Sequence, residues 1–235
     1  MDITKHHTLL KAKVTILLCA VLLLLAGCTG GNNTDAPQAR YSKRNPTEAP
    51  KAEQQKKAEV ITVLLQPYNG YPADKLKRLQ LDIQHCLDTL IPELKFHVDV
   101  LEERTLPSSF LYTPRNRFRA DSIIRYQKSF PTHDYVMGVT SSDISTTVHG
   151  VQDFGILGLS YRPGRSAVVS SFRVKNKSLF YKVAVHELLH SLGLPHCAQK
   201  DRSCYICDAD KHPQLEKQTR LCEPCKKKLL SGYRR

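Results

Sequence analysis

Apolar positions recur along this chain in two rhythms. Val60-Ile61-Thr62-Val63-Leu64-Leu65 is a β-branched run of strand length, and Pro67 to Pro72 break it. Leu76, Leu79, Ile83, Leu87 and Leu90 then fall at helical spacing, and Pro92 closes that helix. Phe96 to Leu101 alternates as a strand. Arg117 to Lys128 reads as a second helix carrying Phe118, Ile123, Ile124 and Tyr126, and Tyr135 to Thr140 as a strand. Phe154 to Tyr161 and Ala167 to Val174 read as two strands joined by a turn at Pro163-Gly164, before a helix from about Ser178 to Leu192. The order predicts an α+β or mixed α/β fold.

Ahead of Val60 the pattern is different. Lys5, Lys11 and Lys13 precede an uncharged apolar run from Val14 to Ala26, which reads as a signal peptide. At about thirteen residues it is short for a membrane span, which needs roughly 20. It ends in Leu25-Ala26-Gly27-Cys28, which looks like a bacterial lipobox: cleavage before Cys28 exposes a thiol, and only cysteine forms the lipid thioether. The alternative, an uncleaved anchor helix, leaves the domain on the same side. Thr29 stands where an aspartate, by resemblance to known lipoproteins, favours inner-membrane retention, so the expected location is the cell envelope, at the outer membrane. Residues 29 to 59 are polar and aperiodic, the composition of a disordered tether, with a reach of roughly 30 Å. The expected division is 1–27 leader, 28–59 lipidated N-terminus and tether, and 60–235 folded domain.

The 235 residues carry a net charge of +13. Loss of the leader removes three lysines and one aspartate and leaves +11. Lys226-Lys227-Lys228 and Arg234-Arg235 form a cationic end that suits anionic lipid or polyanions, or serves simply as solvated surface. No nucleic-acid module is present, and nothing in the pattern specifies an oligomer.

The chemistry lies in His186-Glu187-Leu188-Leu189-His190-Ser191-Leu192-Gly193-Leu194-Pro195-His196. Residues four apart share a helix face, so His186 and His190 can grip one ion while Glu187 sits a step around the helix. A catalytic zinc takes three protein ligands and keeps one position for water. Gly193 ends the helix in a left-handed conformation and turns the chain so that His196 returns as the third ligand. His-Glu-x-x-His alone arises by chance in about one or two chains per hundred of this composition, and requiring Gly193 and His196 lowers that roughly five-hundredfold, which separates the motif from a helix with incidental histidines. Three neutral ligands leave the ion its full charge to acidify its water, and Glu187 takes that water's proton as it attacks a peptide carbonyl. An extended peptide or protein substrate can add to a free strand edge, for which Phe154 to Tyr161 is the first choice. His85, His97, His133, His149 and His212 lack ligand spacing, and Cys86, beside Ile83 and Leu87, reads as a buried apolar-like residue.

The run continues as His196-Cys197, Cys204-Tyr205-Ile206 and Cys222-Glu223-Pro224-Cys225. In this the sequence resembles the archaemetzincins, whose long histidine motif is followed at once by cysteine, then by a cysteine before a methionine turn, and by a terminal Cys-x-x-Cys. The resemblance spans 60–235, with specific motifs only in 183–225. It implies a metzincin-like zincin domain with a mixed twisted sheet, an active-site helix and a small zinc-binding C-terminal segment. It implies two zinc ions, one catalytic on His186, His190 and His196, the other structural on Cys197, Cys204, Cys222 and Cys225. Three features depart from the family pattern. Ile206 replaces the methionine that packs beneath the catalytic ion, the cysteine spacings differ, and Cys207 offers another set, since Cys204-x-x-Cys207 with Cys222-x-x-Cys225 reads by itself as a two-knuckle zinc site. Disulfides are the other use an exported chain has for these thiols, but five cysteines within thirty residues is an odd number.

The expected function is a membrane-anchored zinc peptidase. Its rivals are a zinc-holding scaffold or peptide-binding module, which the intact Glu187 argues against, and a zinc-dependent amidase or deacetylase using the same water chemistry.

Overall fold

In a computed structural model, residues 59–208 and 214–233 are described, and all of them fall in the second of two units of the chain, Gln54–Arg235. The leader, the lipobox and nearly all of the tether lie outside the described residues. The first strand is β1 (Val60–Pro67), followed by α1 (Ala73–Leu90) and β2 (Lys95–Val100), as the apolar rhythm predicts. The α1 stripe of Leu76, Leu79, Ile83, Cys86 and Leu87 is buried, and each fully buried aliphatic side chain of this kind stabilises by about 1.5–3 kcal/mol. After it come β3 (Leu111–Tyr112), β4 (Arg117–Arg119), α2 (Ala120–Gln127), β5 (Tyr135–Thr140), β6 (Ile144–Val148), β7 (Val151–Ile156), β8 (Gly158–Ser160), β9 (Ser166–Ser170), α3 (Phe180–Ser191) and α4 (Glu223–Tyr233).

Two sheets result. The larger has the order β2-β1-β5-β9-β8, parallel except for β8, which pairs antiparallel with β9 and forms an edge. The smaller has the order β3-β4-β6-β7. Alternation along β9 shows how the layers are built. Ala167 and Val169 join the core that holds α1 and α3, whereas Val168 joins the cluster with Ile123 and Ile124 of α2 and Ile144 of β6. The mixed α/β class and mixed sheet expected from the sequence are what the structure has.

Several boundaries differ from the sequence reading. Arg117–Arg119 is a strand rather than the start of a helix, because Phe118 N–H donates to the Asp143 carbonyl at 2.9 Å and the segment pairs with β6. The stretch Phe154 to Tyr161 is two strands in two different sheets. The chain changes sheet at Leu157, whose carbonyl accepts from Ser170 N–H at 2.8 Å. The next strand stops at Ser170 rather than Val174, since Ser170 Oγ accepts from Phe172 N–H and donates to the Ser142 carbonyl, turning the chain. Lys226-Lys227-Lys228 of the cationic end lie on the helix α4, which buries Cys225 and Leu229 while Lys227 and Lys228 face solvent.

Candidate metal centres

Helix α3 is lined by apolar side chains on most of its circumference: Val183, Ala184, Val185, Leu188 and Leu189 are all buried. This locks its rotation and sends His186 and His190 to the same side. The helix ends as the glycine requires. Gly193 has φ +100°, its N–H donates to the His190 carbonyl at 2.8 Å, and Leu194 N–H reaches back to Leu189 at 3.0 Å, the paired bonds of a Schellman closure. His196 is thereby returned to the other two. Ring centroids are 4.7 Å apart for His186 and His190, 4.7 Å for His190 and His196, and 5.5 Å for His186 and His196.

Each of the first two rings is held from behind. His186 Nδ1 lies 2.7 Å from the Tyr205 carbonyl, and His190 Nδ1 lies 2.7 Å from the Leu194 carbonyl. A carbonyl can only accept, so Nδ1 carries the proton and Nε2 keeps its lone pair. His196 Nδ1 faces Asp208 at 3.5 Å. Outer partners of this kind fix the orientation of metal-ligating histidines. Burial pushes His186 and His190 down to about 4, so both are neutral at pH 7. One ligand atom from each of the three rings lies within 4.8 Å of the others, and His196, with 44% of its side chain exposed, stands on the solvent side. The donor set therefore fits an ion bound with one face open.

Glu187 is buried beside these rings, and burial raises its pKa. It packs against the edge strand, where a Cβ on Gly158 would stand 2.6 Å from Glu187 Cγ, and Ser160 Oγ donates to Glu187 Oε2 at 2.8 Å.

A second cluster follows directly. Cys197, Cys204, Cys222 and Cys225 bring four sulfurs within 4.8 Å of one another, with exposures of 5, 0, 4 and 9%. Cys197 and Cys222 sulfurs are 3.6 Å apart, which is contact and not a disulfide. Of the two sets weighed from the sequence, the cluster contains Cys197, and Cys207 lies outside it. Burial pushes Cys204 up to about 11 and also raises Cys225, so the metal-free thiols resist ionisation that a cation would favour. The loop from Cys197 to Cys222 is tied down from several sides. Cys197 N–H donates to the Ile206 carbonyl, Tyr205 N–H to the Arg220 carbonyl, and the buried Lys182 ammonium of α3 donates to the carbonyls of Leu215 and Gln218 at 2.8 and 2.6 Å. Ile206 is fully buried, and Cys86 meets the Tyr205 hydroxyl at 3.3 Å.

The sequence reading missed the supporting residues: the carbonyls of Tyr205 and Leu194, Asp208, Lys182, Gly158 and Ser160. Backbone carbonyls leave no residue signature, and Ser160 and Gly158 reach Glu187 only through tertiary packing.

No family model matches the chain. The chain is similar to the archaemetzincin of Nanoarchaeum equitans, 29% identical over 123 residues, covering 52% of this chain and 68% of the relative. Its fold is similar to the archaemetzincin of Methanopyrus kandleri, with a TM-score of 0.63 at 22% identity, covering 74% of this chain and 96% of that one. A zinc-dependent peptidase from Methanocorpusculum labreanum superposes with a TM-score of 0.54 at 19% identity, covering 71% and 99%.

Proposed function

We propose that this chain, similar to archaemetzincins in sequence and in fold, is a zinc-dependent peptidase with its chemistry at His186, His190, His196 and Glu187. The observation that carries the reading is the convergence of three imidazoles, two of them with Nδ1 engaged by a carbonyl, next to a buried carboxylate at the free edge of a sheet. His186, His190 and His196 would hold zinc, which would supply a Lewis acid for the scissile carbonyl and lower the pKa of water. Glu187 takes a proton from the attacking water and delivers it to the departing amine. The β8 edge offers its main chain to an extended peptide by strand addition, which brings the scissile bond past Glu187.

The four buried cysteines would hold a second zinc with no open side, and closed sites serve structure. Such an ion would fix the segment that carries the Tyr205 carbonyl, and through it the His186 ring. Attachment to the cell envelope through a lipid on Cys28 belongs to the same proposal and is supported by the sequence of the leader alone.

A peptide-library digest coupled to elemental analysis tests the reading. Cleavage should vanish on chelation and return with zinc, with two zinc per chain in the active protein. Zinc binding without cleavage of any peptide would make the chain a binding module, and release of acetate or ammonia from non-peptide amides would make it a deacetylase or amidase.

A further inference from the structure

The edge strand β8 does more than end the sheet. Gly158 and Ser160 are two residues apart on a strand and so point to the same face, and both meet Glu187. At Gly158 the absent Cβ leaves the space that the Glu187 side chain fills, with Cγ at 2.6 Å and Oε1 at 2.8 Å from where a Cβ would stand. At Ser160 the hydroxyl donates to Oε2 at 2.8 Å. Among the described residues no other hydrogen bond reaches either carboxylate oxygen, so within them it is Ser160 that distinguishes Oε2 from Oε1. Glu187 is a flexible side chain with three rotatable bonds, and a base must sit within about 2.6–3.2 Å of the proton it removes. Ordering it costs rotamer entropy that some contact has to offset.

We propose that Ser160 is the positioning residue for Glu187: it holds Oε2 and so directs Oε1 to the water that attacks the substrate, with Gly158 providing the clearance that lets the carboxylate reach that position. The inference rests on the peptidase reading above. It adds a coupling, because the strand that would pair with the substrate main chain is also the strand that holds the base. A peptide that orders β8 at its edge therefore orders Glu187 at the same time. The hydroxyl does not itself touch the reacting atoms, and its removal acts on the transition state through the carboxylate.

The experiment compares wild type with Ser160→Ala, Ser160→Thr and Gly158→Ala, reading kcat and KM on one peptide, zinc per chain, and melting temperature. Ser160→Ala should lower kcat by about ten- to a hundredfold, the rate equivalent of losing a hydrogen bond to a charged group, with KM and zinc content at wild-type values and melting lowered by no more than about 10 °C. Ser160→Thr keeps the hydroxyl and should recover most of the rate, whereas Gly158→Ala should lose kcat with zinc retained, since its methyl displaces Glu187. Unchanged kcat in Ser160→Ala overturns the proposal, as does a rise in KM alone or a failure of threonine to outperform alanine. A wild type that holds zinc and cleaves nothing overturns the peptidase reading itself, and this inference with it.

Discussion

The two clusters sit one residue apart in sequence, at His196 and Cys197, yet they are opposite kinds of site. The histidine cluster is built on a helix end and a glycine turn and has one member, His196, in contact with solvent. The cysteine cluster is built by closing a loop onto helix α4, and all four of its thiols are buried. The first arrangement leaves room for a substrate, the second leaves none. Its segment also has few large buried apolar side chains, chiefly Tyr205, Ile206, Leu215 and Leu221, so an ion there would replace hydrophobic burial as the source of order. Function thus follows from how each site is enclosed, although the same ion suits both donor sets.

The largest expected effect separates chemistry from enclosure. Glu187→Ala removes the base but none of the donors, so hydrolysis should fall by at least about 100-fold while both zinc equivalents and the melting temperature stay near wild type. Single-turnover kinetics alongside elemental analysis measures this. A variant that cleaves peptides at the wild-type rate would break the assignment of roles between Glu187 and the histidines.

Replacing Cys222 and Cys225 together with serine should do the reverse. One zinc equivalent is lost and the segment loosens. Structural zinc sites supply several kcal/mol or more of folding free energy, and about 2–4 °C accompanies each kcal/mol in a protein of this size, so melting should drop on the order of 10 °C. Hydrolysis falls too, as a consequence, because the Tyr205 carbonyl and His196 are both held by this segment. Calorimetry with zinc analysis distinguishes the two variants. One zinc per wild-type chain with the cysteines mapped as disulfides would end the comparison.

How much of this was legible in the sequence depended on how local its cause was. The histidine motif is written in consecutive residues, because an i, i+4 pair and a glycine turn are local geometry, and the structure brings together the three side chains named. The strands with β-branched runs and the α1 stripe were legible for the same reason. The small sheet was not: Arg117-Phe118-Arg119 has the composition of a helix start, and only its pairing with Ile144 and Ser145 makes it a strand. Helix α4 was hidden by three consecutive lysines, which mask the buried pair Cys225 and Leu229 four residues apart. The choice between Cys197 and Cys207 depends on where a loop closes, which spacing alone leaves open.

Titration of the metal-free protein sharpens the contrast at lower amplitude. Burial lowers His186 and His190 from 6.5 to about 4. Their contribution to stability is therefore complete above pH 6.5 and lost as pH falls toward 4, because in that window the unfolded chain binds more protons. Glu187, raised by burial, works the other way and offsets part of this acid loss. The cysteine cluster fails at the opposite end. Burial pushes Cys204 up from 9.0 to about 11 and Cys225 also upward, which outweighs Cys197, where burial is overcome by hydrogen bonds from nearby N–H groups and thiols. Stability is thus lost as pH rises from about 9 toward 11. Urea midpoints of the metal-free protein at pH 5, 7 and 10 should peak in the middle, and zinc should remove the alkaline loss. A flat profile would show that neither cluster governs stability.

The smallest effect is expected at the residue that touches both regions. Ile206 stands where the resembling family has methionine, and its carbonyl accepts from Cys197 N–H at 2.9 Å while the preceding carbonyl, that of Tyr205, holds His186. What this position supplies to each cluster is backbone geometry, fixed by a side chain with no exposed surface. Methionine is close to isoleucine in volume, unbranched and adaptable, and volume-conserving swaps in a core usually cost less than about 1.5 kcal/mol. Ile206→Met should therefore shift melting by no more than about 5 °C and change kcat by well under about tenfold, the rate equivalent of 1.4 kcal/mol, with two zinc retained. The same kinetic and calorimetric assays read it directly. A gain in kcat of two orders of magnitude would mean that the methionine sulfur has a role beyond filling space, and that the isoleucine has left this chain with a weakened catalytic site beside an intact structural one.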